Sequence, residues 1–100
     1  MKKANVHYEP NTSLWYKIDG DTLYIRGHEA EGYSERVLYT NPTLAKNGWR
    51  GNTKITKVII EEIITPTSCV RLFDGCTNIV TIEGVNKIVM DNCTDMSTMF

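Results

Sequence analysis

The sequence lacks a long apolar run and an excess of charge of either sign. No stretch approaches the ~20 apolar residues of a membrane-spanning helix, so we predict no membrane insertion. Eleven basic and twelve acidic side chains give a net charge of -1, and the longest basic run is Lys2-Lys3. Because nucleic-acid binders usually present a basic face, we also predict no nucleic-acid partner.

Cysteine is too scarce for a disulfide framework. The three residues, Cys69, Cys76 and Cys93, are an odd number, whereas a small secreted scaffold would carry more cysteines in an even count. No CxxC or HxxxH pair offers the spacing of a zinc site. We therefore predict three buried, reduced thiols and no bound metal.

The sequence also shows no combination of residues that indicates a catalytic site. The two histidines, His7 and His28, lie far from the cysteines in sequence, although a nucleophile needs a base nearby. Adjacent Glu61 and Glu62 would point to opposite sides of an extended chain, and we interpret them as a solvated corner. The sequence therefore predicts no catalytic residue and no cofactor, and we do not expect an enzyme.

An export signal is not recognisable at the start of the sequence. Met1-Lys2-Lys3 has the charge of a signal-peptide n-region, but residues 4–10 contain no apolar segment. From this pattern we expect either a cytosolic protein or a piece of something longer.

The composition, with 41% apolar and 23% charged residues, is that of a folded domain, and the length fits one domain. Two β-prone runs flank Asp19-Gly20-Asp21, which predicts a hairpin. Its Trp15, Tyr16 and Tyr24, together with Trp49, are predicted to cap the core. Weaker patterns predict a short strand at residues 37–39 and a helical turn at residues 44–47.

The second half of the chain is internally similar. Residues 77–82 resemble residues 53–58 at an offset of 24, and Ile88 follows Ile64 at the same offset. Each copy is predicted to contain a strand and a short helical turn, at residues 69–73 and 95–100. A period in the twenties is typical of leucine-rich repeats. We therefore predict one α+β, mainly β domain, with residues 1–52 as a β-rich cap and residues 53–100 as two short repeats, the second incomplete.

These residues resemble the BspA-like leucine-rich repeat surface proteins of bacteria. The family pattern is close to asparagine-x-threonine-x-methionine-serine-x-methionine-phenylalanine-x-x-cysteine. Residues 93–100, with the sequence CTDMSTMF, look like the core of that repeat, and residues 72–79, with LFDGCTNI, look like its continuation. The resemblance covers about residues 14–100. It implies a non-enzymatic protein–protein interaction module of the cell-surface or secreted adhesin type.

A repeat coil needs a cap at each end, and the apolar residues of the second copy have no following repeat to cover them. We therefore predict an interaction surface for a protein partner or a second copy of the chain, made of Val85, Ile88, Met96, Met99 and Phe100. The sequence does not identify the partner. The alternative function is a small intracellular inhibitor, for example a phage-encoded protein that docks on a host defence nuclease.

Overall fold

The computed structural model describes residues 10–38, 49, 51–67, 72–73 and 75–89. Within these residues the chain forms five β-strands and a single-turn 3₁₀ helix, which confirms the prediction of a mainly β fold. The strands are β1 (Ser13–Asp19), β2 (Thr22–Arg26), β3 (Ser34–Val37), β4 (Lys57–Ile60) and β5 (Thr81–Glu83), and the 3₁₀ helix spans Val85–Lys87.

The predicted hairpin is present. β1 and β2 pair in antiparallel fashion, with Asp19 opposite Thr22 and Ile18 opposite Leu23. Gly20 adopts a φ of 64° between them, a left-handed conformation that only glycine takes without steric cost. The local chemistry of the Asp-Gly turn therefore sets the register of these two strands.

The five strands form one mixed sheet in the order β3-β1-β2-β4-β5. β3 is antiparallel to β1, whereas β2, β4 and β5 run parallel to one another. The strand predicted at residues 37–39 therefore lies earlier, at Ser34–Val37. Its inward-facing side chain is that of Arg36, which is buried and donates a hydrogen bond to the Leu72 carbonyl at 3.0 Å. A charged residue in a core position is why the sequence pattern did not indicate the correct bounds of this strand.

Parallel pairing joins the two similar segments. Val58 pairs with Ile82 in the β4–β5 ladder, and an isolated bridge joins Ile64 to Ile88, so both pairs are 24 residues apart. This separation equals the offset of the internal similarity. Segments that are alike in sequence thus lie side by side, with apolar side chains stacked on the same face.

The core lies on one face of the sheet. Strand alternation places every second residue on this face, and the paired positions are apolar: Leu23 beside Val58, and Ile25 beside Ile60. Turns and loops complete the buried cluster through Trp49 and a set of smaller side chains, namely Ile55, Ile64, Leu72, Phe73 and Cys76. Trp49 is fully buried, and so it is part of the core rather than a cover at its edge.

The predicted helical turns are not found in the described residues. The only helix there is the 3₁₀ turn at Val85–Lys87, outside all three predicted positions. Leu72 and Phe73 lie in a turn and are buried, whereas most of the first predicted turn and all of the second fall outside the described residues, as does the turn predicted at residues 44–47. A helix of about one turn has few hydrogen bonds to offset its nucleation, and packing of two adjacent apolar side chains favours a turn here.

Asn11 joins the start of the described chain to the segment that follows β4. Its backbone forms a parallel bridge with Pro66, and its side-chain oxygen accepts a hydrogen bond from the Thr65 N–H at 2.8 Å. The amide nitrogen donates to the Gly27 carbonyl at 3.2 Å. Because these bonds join three separate segments, Asn11 closes the end of the sheet beyond β2.

Candidate interaction surface

The face of the sheet opposite the core carries aromatic and charged side chains, and we call it the outer face. The pairings of Trp15 with Arg26, Lys17 with Tyr24, and Tyr24 with Ile59 place these residues on the same side, since paired residues project to one face. Tyr33, from the loop before β3, covers part of this face. The aromatic rings are half-buried and Lys17 is exposed, so the surface is open to a partner.

Two cations lie against the rings of the outer face. The Lys17 ammonium lies 5.0 Å from the ring centre of Tyr24 and 5.2 Å from that of Tyr33. The Arg26 guanidinium lies 5.8 Å from the ring centre of Tyr33. Such contacts are attractive because the ring face carries partial negative charge. They favour positions of both charged groups against the aromatic rings.

The two adjacent carboxylates converge on one arginine instead of forming a solvated corner. Arg26 lies 3.2 Å from Glu62 and 3.7 Å from Glu61, and both carboxylates are half-buried. Tyr33 donates its hydroxyl hydrogen bond to Glu61. The expectation that the two side chains point apart was wrong, because the chain leaves the extended conformation at a bend at Glu62.

Glu62 also accepts the backbone N–H of Gly27 at 2.8 Å and lies 2.8 Å from His28 Nδ1. Burial of the Glu62 carboxyl raises its pKa, but the hydrogen bonds with His28 and Gly27 and the charge of Arg26 outweigh this effect and hold the pKa below its ordinary value. For Tyr33, burial and then the hydrogen bond to Glu61 raise the pKa above its ordinary value. The cluster is therefore an ionised carboxylate site beside a neutral phenol at neutral pH.

Replacement of Glu62 by glutamine is expected to lower the free energy of unfolding by about 1 to 2 kcal/mol at neutral pH, because hydrogen bonds to a charged acceptor are lost. Since the folded-state pKa lies below the ordinary value of 4.5, this contribution is present above about pH 4.5 and disappears as the pH falls through the folded-state pKa. Urea unfolding of both proteins between pH 7 and pH 3 should show the difference shrink.

The matched control for that experiment is Glu83→Gln. Glu83 pairs with Lys57 at 2.9 Å but both side chains are more exposed, and such pairs contribute little. A loss for the Glu83 variant as large as that for the Glu62 variant would contradict the assignment, as would a Glu62 difference that does not change with pH.

The surface predicted from the repeat end is described only in part. Val85 begins the 3₁₀ helix and is 59% exposed, whereas Ile88 is half-buried beside Ile64. Met96, Met99 and Phe100 lie outside the described residues. Val80, immediately before β5, is 83% exposed and extends the apolar area at this end. Dimerisation through this surface stays a prediction.

The predicted buried thiol is confirmed for Cys76, whose sulfur lies 3.2 Å from the Trp49 carbonyl oxygen. Cys69 and Cys93 lie outside the described residues. In the part of the chain that the structure describes, no three metal-binding side chains come together. Nor does that part contain a helix with the length and apolar character needed to cross a membrane.

Sequence reasoning missed the outer face because its members come from three distant segments. The sequence patterns assign Trp15 and Tyr24 of the hairpin to the cap and Glu61 to a solvated corner, and they indicate no role for Tyr33. Period-two alternation within β1 and β2 was the available signal, since it separates Tyr16 from Trp15 and Lys17. Comparison with protein-family models found no match to this chain, and searches of curated proteins and of solved structures also found none.

Proposed function

We propose that this chain is a protein-recognition module that binds its partner through the outer face. The observation that carries the proposal is the grouping of three half-exposed aromatic side chains with positioned cations on one side of a sheet: Trp15, Tyr24 and Tyr33 with Lys17 and Arg26. Tryptophan, tyrosine and arginine are the residue types that contribute most to protein interfaces. Rings anchored on a sheet also lose little conformational freedom on binding.

We further propose that the region from residue 53 onward is a coil of the leucine-rich type, related to the BspA-like surface proteins. The parallel pairing of Val58 with Ile82 and of Ile64 with Ile88 supports this proposal, because successive copies in a repeat coil stack side by side. The hairpin then acts as its N-terminal cap, since β2 extends the same parallel ladder through β4. Recognition at a cell surface is the function that this relationship favours.

The proposal can be tested by panning the immobilised chain against random peptides displayed on phage. We expect enriched peptides that bind the wild-type chain and lose affinity for Tyr24→Ala. Tyr24 lies in the middle of the outer face, and removal of a central aromatic anchor typically costs about 2 kcal/mol, or roughly thirtyfold in Kd. Fluorescence anisotropy with labelled peptides measures the change.

The control variant is Val80→Ala, which also shortens an exposed apolar side chain but immediately precedes β5, which β4 separates from the hairpin. Its affinity for the enriched peptides should equal that of the wild type. The absence of any enriched peptide would overturn the proposal. Peptides that bind the Tyr24 and Val80 variants equally well would show that the outer face is not the binding surface.

A further inference from the structure

Lys17 is the basic residue of the outer face whose charge is left without a carboxylate. Arg26 is neutralised by Glu61 and Glu62, and Lys57 by Glu83. Among the described residues, the Lys17 ammonium makes only its two contacts with tyrosine rings. A lysine ammonium has three hydrogen-bond donors, and ring faces do not accept them as strongly as a carboxylate does. One fixed positive charge therefore remains available to an incoming group.

The surroundings of Lys17 favour a single acidic side chain over a polyanion. Among the described residues this face has three cations, Lys17, Arg26 and Lys57, and a larger set of carboxylates, namely Asp19, Glu35, Glu61 and Glu83. A nucleic-acid strand carries a phosphate at every step and would bring several of them close to these carboxylates. One carboxylate directed at Lys17 pairs with the available charge and leaves the rest of the face to apolar contacts.

We infer that the outer face binds an extended segment of a protein partner in which an aspartate or glutamate pairs with Lys17 between the rings of Tyr24 and Tyr33. This inference rests on the proposed function and specifies its partner. An apolar residue two positions from the acidic one, and therefore on the same side of the extended segment, lies against Trp15, whose ring is half-buried on the same strand. Binding removes the ion pair from water, which strengthens it relative to an exposed pair.

The test uses the peptides enriched by panning against the wild-type chain. We expect them to contain Asp or Glu two positions from an apolar residue. For such a peptide, Lys17→Gln should weaken binding roughly tenfold, the scale of one charge-assisted hydrogen bond. Lys17→Arg keeps both the charge and the ability to lie against the tyrosine rings and should bind within about threefold of the wild type. Because Lys17 is exposed, all three proteins should fold alike, and circular dichroism checks this.

Salt gives a second readout. Higher ionic strength should weaken binding to the wild type more than binding to Lys17→Gln, since screening acts on the ion pair. Enriched peptides that depend on Tyr24 but contain no acidic residue, or that bind Lys17→Gln as well as the wild type, would overturn this inference and leave the proposed function intact. Displacement of the peptide by single-stranded oligodeoxythymidine would also overturn it, because a polyanion would then be the better ligand.

Discussion

Replacement of Gly84 by alanine is expected to destabilise the protein by about 3 kcal/mol or more. Gly84 follows β5 directly and has a φ of 79°, where a side chain costs about 1 to 2 kcal/mol. A Cβ at this position would lie 2.6 Å from the Ile60 carbonyl oxygen. Since that oxygen belongs to the backbone of β4, the contact can be relieved only by moving β5 away from the sheet.

The matched control separates backbone strain from this collision. Gly32 has a similar φ of 84°, but a Cβ there would meet no atom within 4 Å. Gly32→Ala should therefore lose only about 1 to 2 kcal/mol, the cost of the left-handed conformation. Urea unfolding at neutral pH measures both variants. Equal losses would show that β5 is not held against Ile60 as the structure describes.

Local sequence chemistry predicted some elements because their causes lie within a few residues. The Asp19-Gly20-Asp21 turn and its flanking runs predicted the β1–β2 hairpin, and the structure has it at that position. The similarity between residues 53–58 and 77–82 predicted an offset of 24, which is the separation of the paired residues in β4 and β5. In both cases the sequence pattern has a direct physical cause. The turn needs a residue that accepts a left-handed conformation, and the parallel strands stack segments of similar sequence side by side.

The contacts between distant segments were not predictable in the same way. The pairing of Thr22 with Lys57 joins the hairpin to β4, and no local pattern indicates which strands become neighbours. Likewise, the buried Arg36 guanidinium lies over the Trp49 ring, 4.3 Å from the ring centre, although arginine is rarely fully buried. Propensity and periodicity are local quantities, so they do not predict which strands become neighbours in the sheet or which charged residues are buried.

The alternation of side chains along a strand could have predicted that the aromatic residues of the proposed cap lie on opposite faces of the sheet. Tyr16 faces the core, where its ring contacts Trp49 edge-on at 5.2 Å between centres. Trp15 pairs with Arg26 and Tyr24 with Lys17, and both aromatics belong to the outer face. The four aromatic residues predicted to form one cap therefore divide into two pairs. Tyr16 and Trp49 stabilise the core, whereas Trp15 and Tyr24 belong to the surface proposed for recognition. This division leads to opposite expectations for their substitution.

Trp49→Ala is expected to lower the free energy of unfolding by about 4 kcal/mol, within the range for truncation of a buried aromatic residue. The indole ring is fully buried, contacts Tyr16 and Phe73, and supports the Arg36 guanidinium. Its loss leaves a cavity and removes the ring from beneath a buried charge. For a domain of this size the melting temperature should fall by roughly 15 to 30 °C, measured by calorimetry.

Trp49→Phe shows which property of the residue matters. The indole N–H is buried without a hydrogen-bond partner, so phenylalanine gives up ring area but no hydrogen bond and should cost only about 1 to 2 kcal/mol. By contrast Trp15→Ala, on the outer face, should lose less stability than Trp49→Ala, because the Trp15 ring is half-exposed. A Trp15 variant as unstable as the Trp49 variant would mean that the outer-face aromatics serve folding, and the case for a recognition surface would then fail.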